Sequence, residues 1–262
     1  MPMKHLHLLC PAGLALSALL ALCACQGPAD TATDGSKPAA TDNLYQPNMF
    51  DYGDLDHYAE ANRALLAAGP DTGRVVFMGN SITENWAAMH PAFFTDNGYV
   101  GRGISGQTTS QMLVRFRQDV LDLEPAILVL HAGINDIAEN AGPYSEDRTM
   151  AHIQTMVELA MQRGIRVIIA SVLPSIYFFW HPSITDQAPK IVSLNARLKA
   201  YADGLGLPYV DYYTPMVLGD DLALNPAYTD DGTHPTLPGY AVMEPLIKAA
   251  IDRVRTSSQS PR

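Results

Sequence analysis

Val75-Val76-Phe77-Met78-Gly79-Asn80-Ser81-Ile82-Thr83 decides the architecture of this chain. Its four leading apolar residues read as a strand buried on both faces, as in a parallel sheet covered by helices on either side. Gly79 breaks the run and presents Ser81 just past the strand's C-terminal edge, where ligands bind in open α/β sheets. The helical stretch that follows, Thr83 to Ala88, brings its N-terminal amides toward that serine and favours negative charge there. Taken alone, a serine in this place is usually only a helix cap.

Outward from this segment, buried-strand and helix signals alternate. Further strands are expected at Tyr99–Ile104, Ala126–Ala132, Arg166–Leu173 and Pro208–Tyr212. An opening helix runs from Leu55 to Ala68 and stops at Gly69-Pro70. Met112, Leu113, Phe116, Val120 and Leu123 recur at helical spacing, with Arg115, Arg117 and Asp119 on the opposite, polar face. Later helices are expected from Glu146 to Arg163, Ala188 to Gly204 and Leu237 to Arg255, the last kinked or split at Pro245. Strands joined by crossover helices predict an α/β fold: a three-layer α/β/α, flavodoxin-like domain with about five mostly parallel strands.

Three more segments end on the same edge as Ser81. Gly103-Ile104-Ser105-Gly106-Gln107-Thr108 closes the second strand, and Gly106 can bring a bare backbone amide close to a ligand. It reads equally as a glycine turn before a helix capped by Thr108. Gly133-Ile134-Asn135-Asp136 closes the third strand, and Asn135 can aim its NH₂ group at an oxyanion or serve as a turn residue. Asp231-Gly232-Thr233-His234-Pro235 precedes the last helix. An acid three residues before a histidine can fix the ring's tautomer, leaving the other nitrogen to take a proton from serine. Asp230 is the neighbouring candidate for that acid, and Pro235 restricts the backbone of His234 toward extended conformations.

In order, Gly-Asn-Ser-Ile, Ile-Ser-Gly, Gly-Ile-Asn-Asp and Asp-Gly-Thr-His resemble the four blocks of the GDSL, or SGNH, hydrolase family. The resemblance runs from about Val75 to Tyr240. It implies the SGNH hydrolase fold, a catalytic triad of Ser81, Asp231 and His234, and an oxyanion hole of Ser81, Gly106 and Asn135. It further implies an acyl-enzyme route for carboxylic ester hydrolysis, with no cofactor and no metal. Asn80 departs from the family signature, which carries aspartate there; it keeps a side-chain oxygen and loses a charge. Within the family the substrate expectation leans to short-chain or O-acetyl glycan esters. A lysophospholipase- or thioesterase-like lipid acylhydrolase, or a non-catalytic glycan- or lipid-binding lipoprotein, are the alternatives.

The first 24 residues read as a signal peptide: Lys4, an apolar run from Leu14 to Leu22, then Leu22-Cys23-Ala24-Cys25. That ending resembles a bacterial lipobox, which makes Cys25 the expected lipidated residue. An ordinary secretory cleavage near Ala24 is the alternative, and both readings export the protein to the cell envelope or beyond. The lipid anchor is then its one membrane contact. All three cysteines (Cys10, Cys23, Cys25) lie in this region, so the later chain holds no cysteine pair or cysteine metal site. Residues 25–45 read as a flexible tether, 46–255 as the hydrolase domain and 256–262 as a frayed tail. With 27 acidic against 17 basic side chains, a net charge of −10 opposes nucleic acid as a partner.

Tyr177-Phe178-Phe179-Trp180-His181-Pro182 follows the fourth strand on the active edge, either lining an acyl or sugar pocket or clamping its loop onto the core. Trp86 can likewise be pocket wall or core. These aromatics, Trp86, Phe178, Phe179 and Trp180, are the substrate-binding candidates. Arg102 and Gln107 default to the solvated surface, and His131 to a packed core position.

Overall fold

Val75, Val76, Phe77 and Met78 are all buried, and together with Gly79 they form the central strand, as their unbroken apolar run requires. This is a computed structural model describing residues 47–257. The expected leader and tether, with Cys25, and residues 258–262 of the expected tail lie outside the described residues. In chain order the elements are α1 (Ala59–Ala67), β1 (Val75–Gly79), α2 (Ser81–Met89), α3 (Pro91–Thr95), β2 (Tyr99–Gly103) and α4 (Thr109–Asp119). Then come β3 (Ile127–Leu130), α5 (Ile134–Ile137), α6 (Glu146–Gln162), β4 (Arg166–Ala170) and α7 (Gln187–Leu205). The last are β5 (Tyr209–Val210), α8 (Tyr213–Met216), the short hairpin β6 (Val217–Leu218) and β7 (Ala223–Leu224), and α9 (Leu237–Ser257).

The five-stranded sheet has the order β2-β1-β3-β4-β5, and every neighbouring pair is parallel. The chain winds outward from β1 to β2, then returns across β1 to β3. That reversal opens a crevice beyond the C-terminal ends of β1 and β3, and in such sheets the crevice is where ligands sit. Ser81 follows β1 and Asn135 follows β3, so both flank it. Helices α4, α6 and α7 pack in succession on one face. Helices α2 and α9 share the other, where the rings of Trp86 and Tyr240 stack at 5.2 Å. The expected three-layer α/β/α architecture is therefore the observed one.

Two glycines bring β1, β2 and α2 together at the crevice. A Cβ on Gly103 would lie 2.3 Å from the Glu84 nitrogen and 2.5 Å from the Asn80 carbonyl oxygen, so only glycine lets β2 end against the start of α2. One on Gly79 would lie 2.0 Å from the Thr83 hydroxyl.

Several sequence expectations are corrected. Arg115 and Asp119 do not face solvent: both side chains are 0% exposed and paired at 2.9 Å. The guanidinium also donates to the carbonyls of Gly79 (2.8 Å) and Arg102 (3.0 Å) and to Oε1 of Gln107 (2.6 Å). The pair lies one turn apart beside buried Met112, and only Arg117 occupies the solvent side, so the three residues are not one polar face. Arg102 and Gln107 are also buried: Arg102 donates to Asn62 at 2.8 Å and Gln107 to the Gly53 carbonyl at 2.9 Å. Helix α9 is one helix through Pro245 rather than two. The lost backbone bond costs about 3 kcal/mol. Beyond the proline, Ile247, Ala250, Ile251 and Val254 are buried. Each such branched side chain contributes about 1.5–3 kcal/mol on burial, so Ile247, Ile251 and Val254 together outweigh the break.

Candidate active site

Ser81 is the first residue of α2, and Asn80 caps the helix by accepting the Ile82 N–H at 3.3 Å. Asn80 thus supplies the oxygen that a turn at this point needs, without a charge. The Ser81 hydroxyl lies 2.9 Å from Nε2 of His234, and Nδ1 of His234 lies 2.7 Å from Oδ2 of Asp231. With the Nδ1–H donating to the carboxylate, Nε2 is the free acceptor and the serine hydroxyl donates to it.

Asp231 is held more firmly than a surface acid. Its Oδ1 accepts from the backbone N–H of His234 (2.7 Å) and of Thr233 (2.8 Å). Burial by itself pushes this carboxyl up. The hydrogen bonds from the His234 ring and from these two amides, with the charge of His234, outweigh it and hold the group well below the usual carboxylate range. Asp230 is exposed and takes no such place, so the geometry selects Asp231.

The turn bearing His234 is fixed by residues that the sequence does not single out. Thr229 donates to the His234 carbonyl at 2.8 Å and receives the Gly232 N–H at 3.0 Å. Thr233 donates to the Tyr177 carbonyl at 2.9 Å and lies 3.0 Å from the Ser175 hydroxyl. These contacts couple the imidazole to the aromatic loop after β4.

Opposite the imidazole, Ile104 to Gln107 forms a turn closed by the Gln107 N–H on the Ile104 carbonyl. Gly106 takes φ +76 in it, as the third residue of a type II turn requires. Among the described residues no protein acceptor faces the backbone N–H of Ser81 or of Gly106. Asn135 is buried beside them and donates one N–H to the Gln107 carbonyl at 3.0 Å, leaving its second N–H available. Asp136 anchors Asn135 by accepting from the backbone and hydroxyl of Thr109, at 2.9 and 2.5 Å. Burial raises its carboxyl to about 6, against the lowering effect of the bonds from Thr109 and Thr149.

Ser81, Gly106, Asn135, Asp231 and His234 line one cleft of about 590 Å³, together with Asn85, Ser105, Asn140, Phe179 and Trp180. The Trp180 and Phe179 ring centroids lie 5.8 and 6.3 Å from that of His234. Two substrate-binding expectations are corrected here. Phe178 is 0% exposed and packs in the core, and Trp86 is 2% exposed, stacked between Phe93 and Tyr240. Neither lines the cleft: Phe178 is the ring of its loop that turns into the core, and Trp86 is packed between Phe93 and Tyr240. His131 is buried, and desolvation lowers its ring to about 4, so it is a neutral core residue at ordinary pH.

The model of the GDSL-like Lipase/Acylhydrolase family matches residues 45–242. A solved structure from Bacteroides fragilis, of a protein assigned as an acylhydrolase, is 56% identical with a TM-score of 0.75, covering 78% of this chain and 98% of its own. A GDSL-like lipase from Bacteroides thetaiotaomicron is 54% identical with a TM-score of 0.75, covering 77% and 98%. An acetylxylan esterase from Geobacillus stearothermophilus shares the fold at 17% identity and a TM-score of 0.53, covering 68% and 94%. YqeF, an uncharacterized lipoprotein of Bacillus subtilis, is 35% identical over 77 residues, 28% of this chain and 32% of that protein.

Proposed function

The chain belongs to the GDSL-like lipase/acylhydrolase family, and from that premise we propose that it is a serine esterase acting through an acyl-enzyme on Ser81. The observation that carries this reading is the unbroken hydrogen-bonded run from Ser81 through His234 to Asp231, opening into a cleft beside the Gly106 turn. In the proposed mechanism His234 Nε2 takes the hydroxyl proton as Ser81 Oγ attacks the ester carbonyl. The developing oxyanion accepts from the Ser81 and Gly106 amides and from the second N–H of Asn135. Collapse expels the alcohol, which leaves with the proton held by His234. A water deprotonated by His234 then attacks the acyl carbon, and the acid is released with Ser81 restored.

The substrate reading leans to short-chain or O-acetyl esters of glycan-like alcohols. On the oxyanion side the cleft meets Ser105, Gly106, Asn135 and Asn140, small or polar groups suited to a short acyl chain. Beside His234, Phe179 and Trp180 offer aromatic faces of the kind that pack on a ring-bearing alcohol. A lipid acylhydrolase would be favoured by a strong preference for long acyl chains.

Hydrolysis of p-nitrophenyl acetate by the full chain, beside Ser81→Ala, tests the reaction. The reading expects the alanine chain to lose at least about 10⁴-fold in kcat; equal rates would remove it. A series of acetyl, butyryl, decanoyl and acetyl-glycan esters, compared by kcat/KM, tests the substrate class. We also propose a lipid anchor at Cys25 and an envelope location, a reading supported by the partial likeness to the YqeF lipoprotein. Cys25→Ala should move the protein out of the membrane fraction, and unchanged fractionation would count against the anchor.

A further inference from the structure

Asn140 sits past α5 in Glu139-Asn140-Ala141-Gly142, where Glu139 takes φ +58, a conformation that side-chain-bearing residues seldom adopt. The turn is closed by the Asn140 N–H on the Asn135 carbonyl and the Gly142 N–H on the Glu139 carbonyl, both at 3.1 Å. It delivers the Asn140 side chain, buried, into the cleft. There Nδ2 donates to the Gly106 carbonyl at 2.9 Å, and Oδ1 accepts the indole N–H of Trp180 at 2.9 Å. The indole can only donate and the carbonyl can only accept, so a flipped amide would lose both bonds and its orientation is fixed.

The Gly106 turn needs such a fixture. A glycine at φ +76 has no Cβ to restrict rotation of the peptide planes on either side. Before Gly106, the Ile104–Ser105 peptide is set by Glu84, which accepts the Ser105 N–H at 2.7 Å. The plane after it is set by Asn140 on the Gly106 carbonyl. Between these two clamps lies the peptide carrying the N–H of Gly106, a cleft-lining residue whose N–H has no protein acceptor among the described residues.

We propose that Asn140 is a positioning residue: it locks the Gly106 amide in its anion-binding direction and ties that direction to the Trp180 wall. The proposal rests on the esterase reading. Because one side chain serves both contacts, a shift of the wall and a loss of oxyanion stabilisation are coupled. Removing the clamp then acts on the transition state more than on bound substrate.

The test compares the full chain with Asn140→Ala, Asn140→Asp, Trp180→Phe and the double variant Asn140→Ala/Trp180→Phe. Each is assayed on p-nitrophenyl acetate and for inhibition by phenylboronic acid, whose adduct with Ser81 places an oxygen where the oxyanion forms. Asn140→Ala is expected to lower kcat by about tenfold or more, with KM within about threefold and the boronate Ki raised in step with the kcat loss. Asn140→Asp keeps the acceptor under Trp180 but turns a second oxygen toward a carbonyl. It should lose at least as much, and it carries the test if the alanine chain does not fold. Because the two residues act through one contact, the double variant should be no slower than Asn140→Ala alone. A kcat and boronate Ki within about twofold of the unmodified chain in the folded Asn140 variants would overturn the proposal, as would strictly multiplicative losses in the double variant. Absence of Ser81-dependent hydrolysis in the unmodified chain would instead overturn the esterase reading, and this proposal with it.

Discussion

At the floor of the cleft, Ser81 and Asn135 are buried, Gly106 is half-buried, and their hydrogen-bonding partners come from several different elements. At its lip Phe179 leaves about half of its surface exposed, as do Ile176 and Tyr177 earlier on the same loop. The lip is anchored mainly from behind, through Ser175, Thr233 and the buried ring of Phe178. The floor is over-determined: moving one group would break contacts to several others. The lip offers ring faces on a loop whose outward side chains are free to change without disturbing the core. Such a division lets the reaction stay fixed while selectivity is adjusted.

Substitutions should therefore separate into kcat effects at the floor and KM effects at the lip. The largest is expected from Asp231→Asn, which keeps the shape but favours the wrong imidazole tautomer, with a loss of about 10⁴ in kcat by analogy with serine triads. Asn135→Ala should cost about 10²–10³ in kcat through one lost oxyanion donor, with KM little changed. Phe179→Ala should raise KM for bulky-alcohol esters several-fold, about 1 kcal/mol of ring contact, and spare kcat on p-nitrophenyl acetate. A matching kcat loss there would erase the distinction between floor and lip.

The smallest effect concerns the layer beneath the floor. The folded carboxyl of Asp136 is raised to about 6, above its ordinary value, so its contribution to stability is fully present below about pH 4 and is lost as pH rises through about 6. Asp231 runs the other way: with its carboxyl held low, its contribution is present above the ordinary carboxylate range and is lost as acid protonates the folded group. Thermal melting followed from pH 4 to 7 should show Asp136→Asn removing a downward component from the curve. An unchanged slope would mean that this carboxyl is not held protonated by burial.

The alternation of buried strands with amphipathic helices was legible because a parallel sheet covered on both faces requires continuous apolar runs, and Val75–Met78 and Ile127–Leu130 supply them. Ser81, Gly106 and Asn135 were legible because each follows a sheet strand's end in a short glycine-punctuated segment, and Asp231 and His234 because of their spacing in a tight turn before the last helix. What periodicity could not show is which polar residues turn inward. Arg115 and Asp119 stand one helical turn apart, while solvent-facing Arg117 lies on the other side of the helix; grouping the three as one polar face hid the difference that the carbonyls of Gly79 and Arg102 reveal. Asn140, Thr233 and Ser175 were invisible for a related reason: their partners lie 34 to 58 residues away, and no local pattern marks them. Trp86 and Phe178 failed as wall candidates because chain proximity to the serine or to the cleft does not fix which way a ring points.

The most direct measurement is active-site labelling of the full chain with a fluorophosphonate, with the adduct mapped by peptide mass spectrometry while residual hydrolysis of p-nitrophenyl acetate is followed. The account expects one adduct per chain on the peptide containing Ser81, activity falling in proportion, and neither event in a His234→Ala chain. Full hydrolysis by chains quantitatively labelled at Ser81, or inactivation with the adduct on another residue, would contradict it.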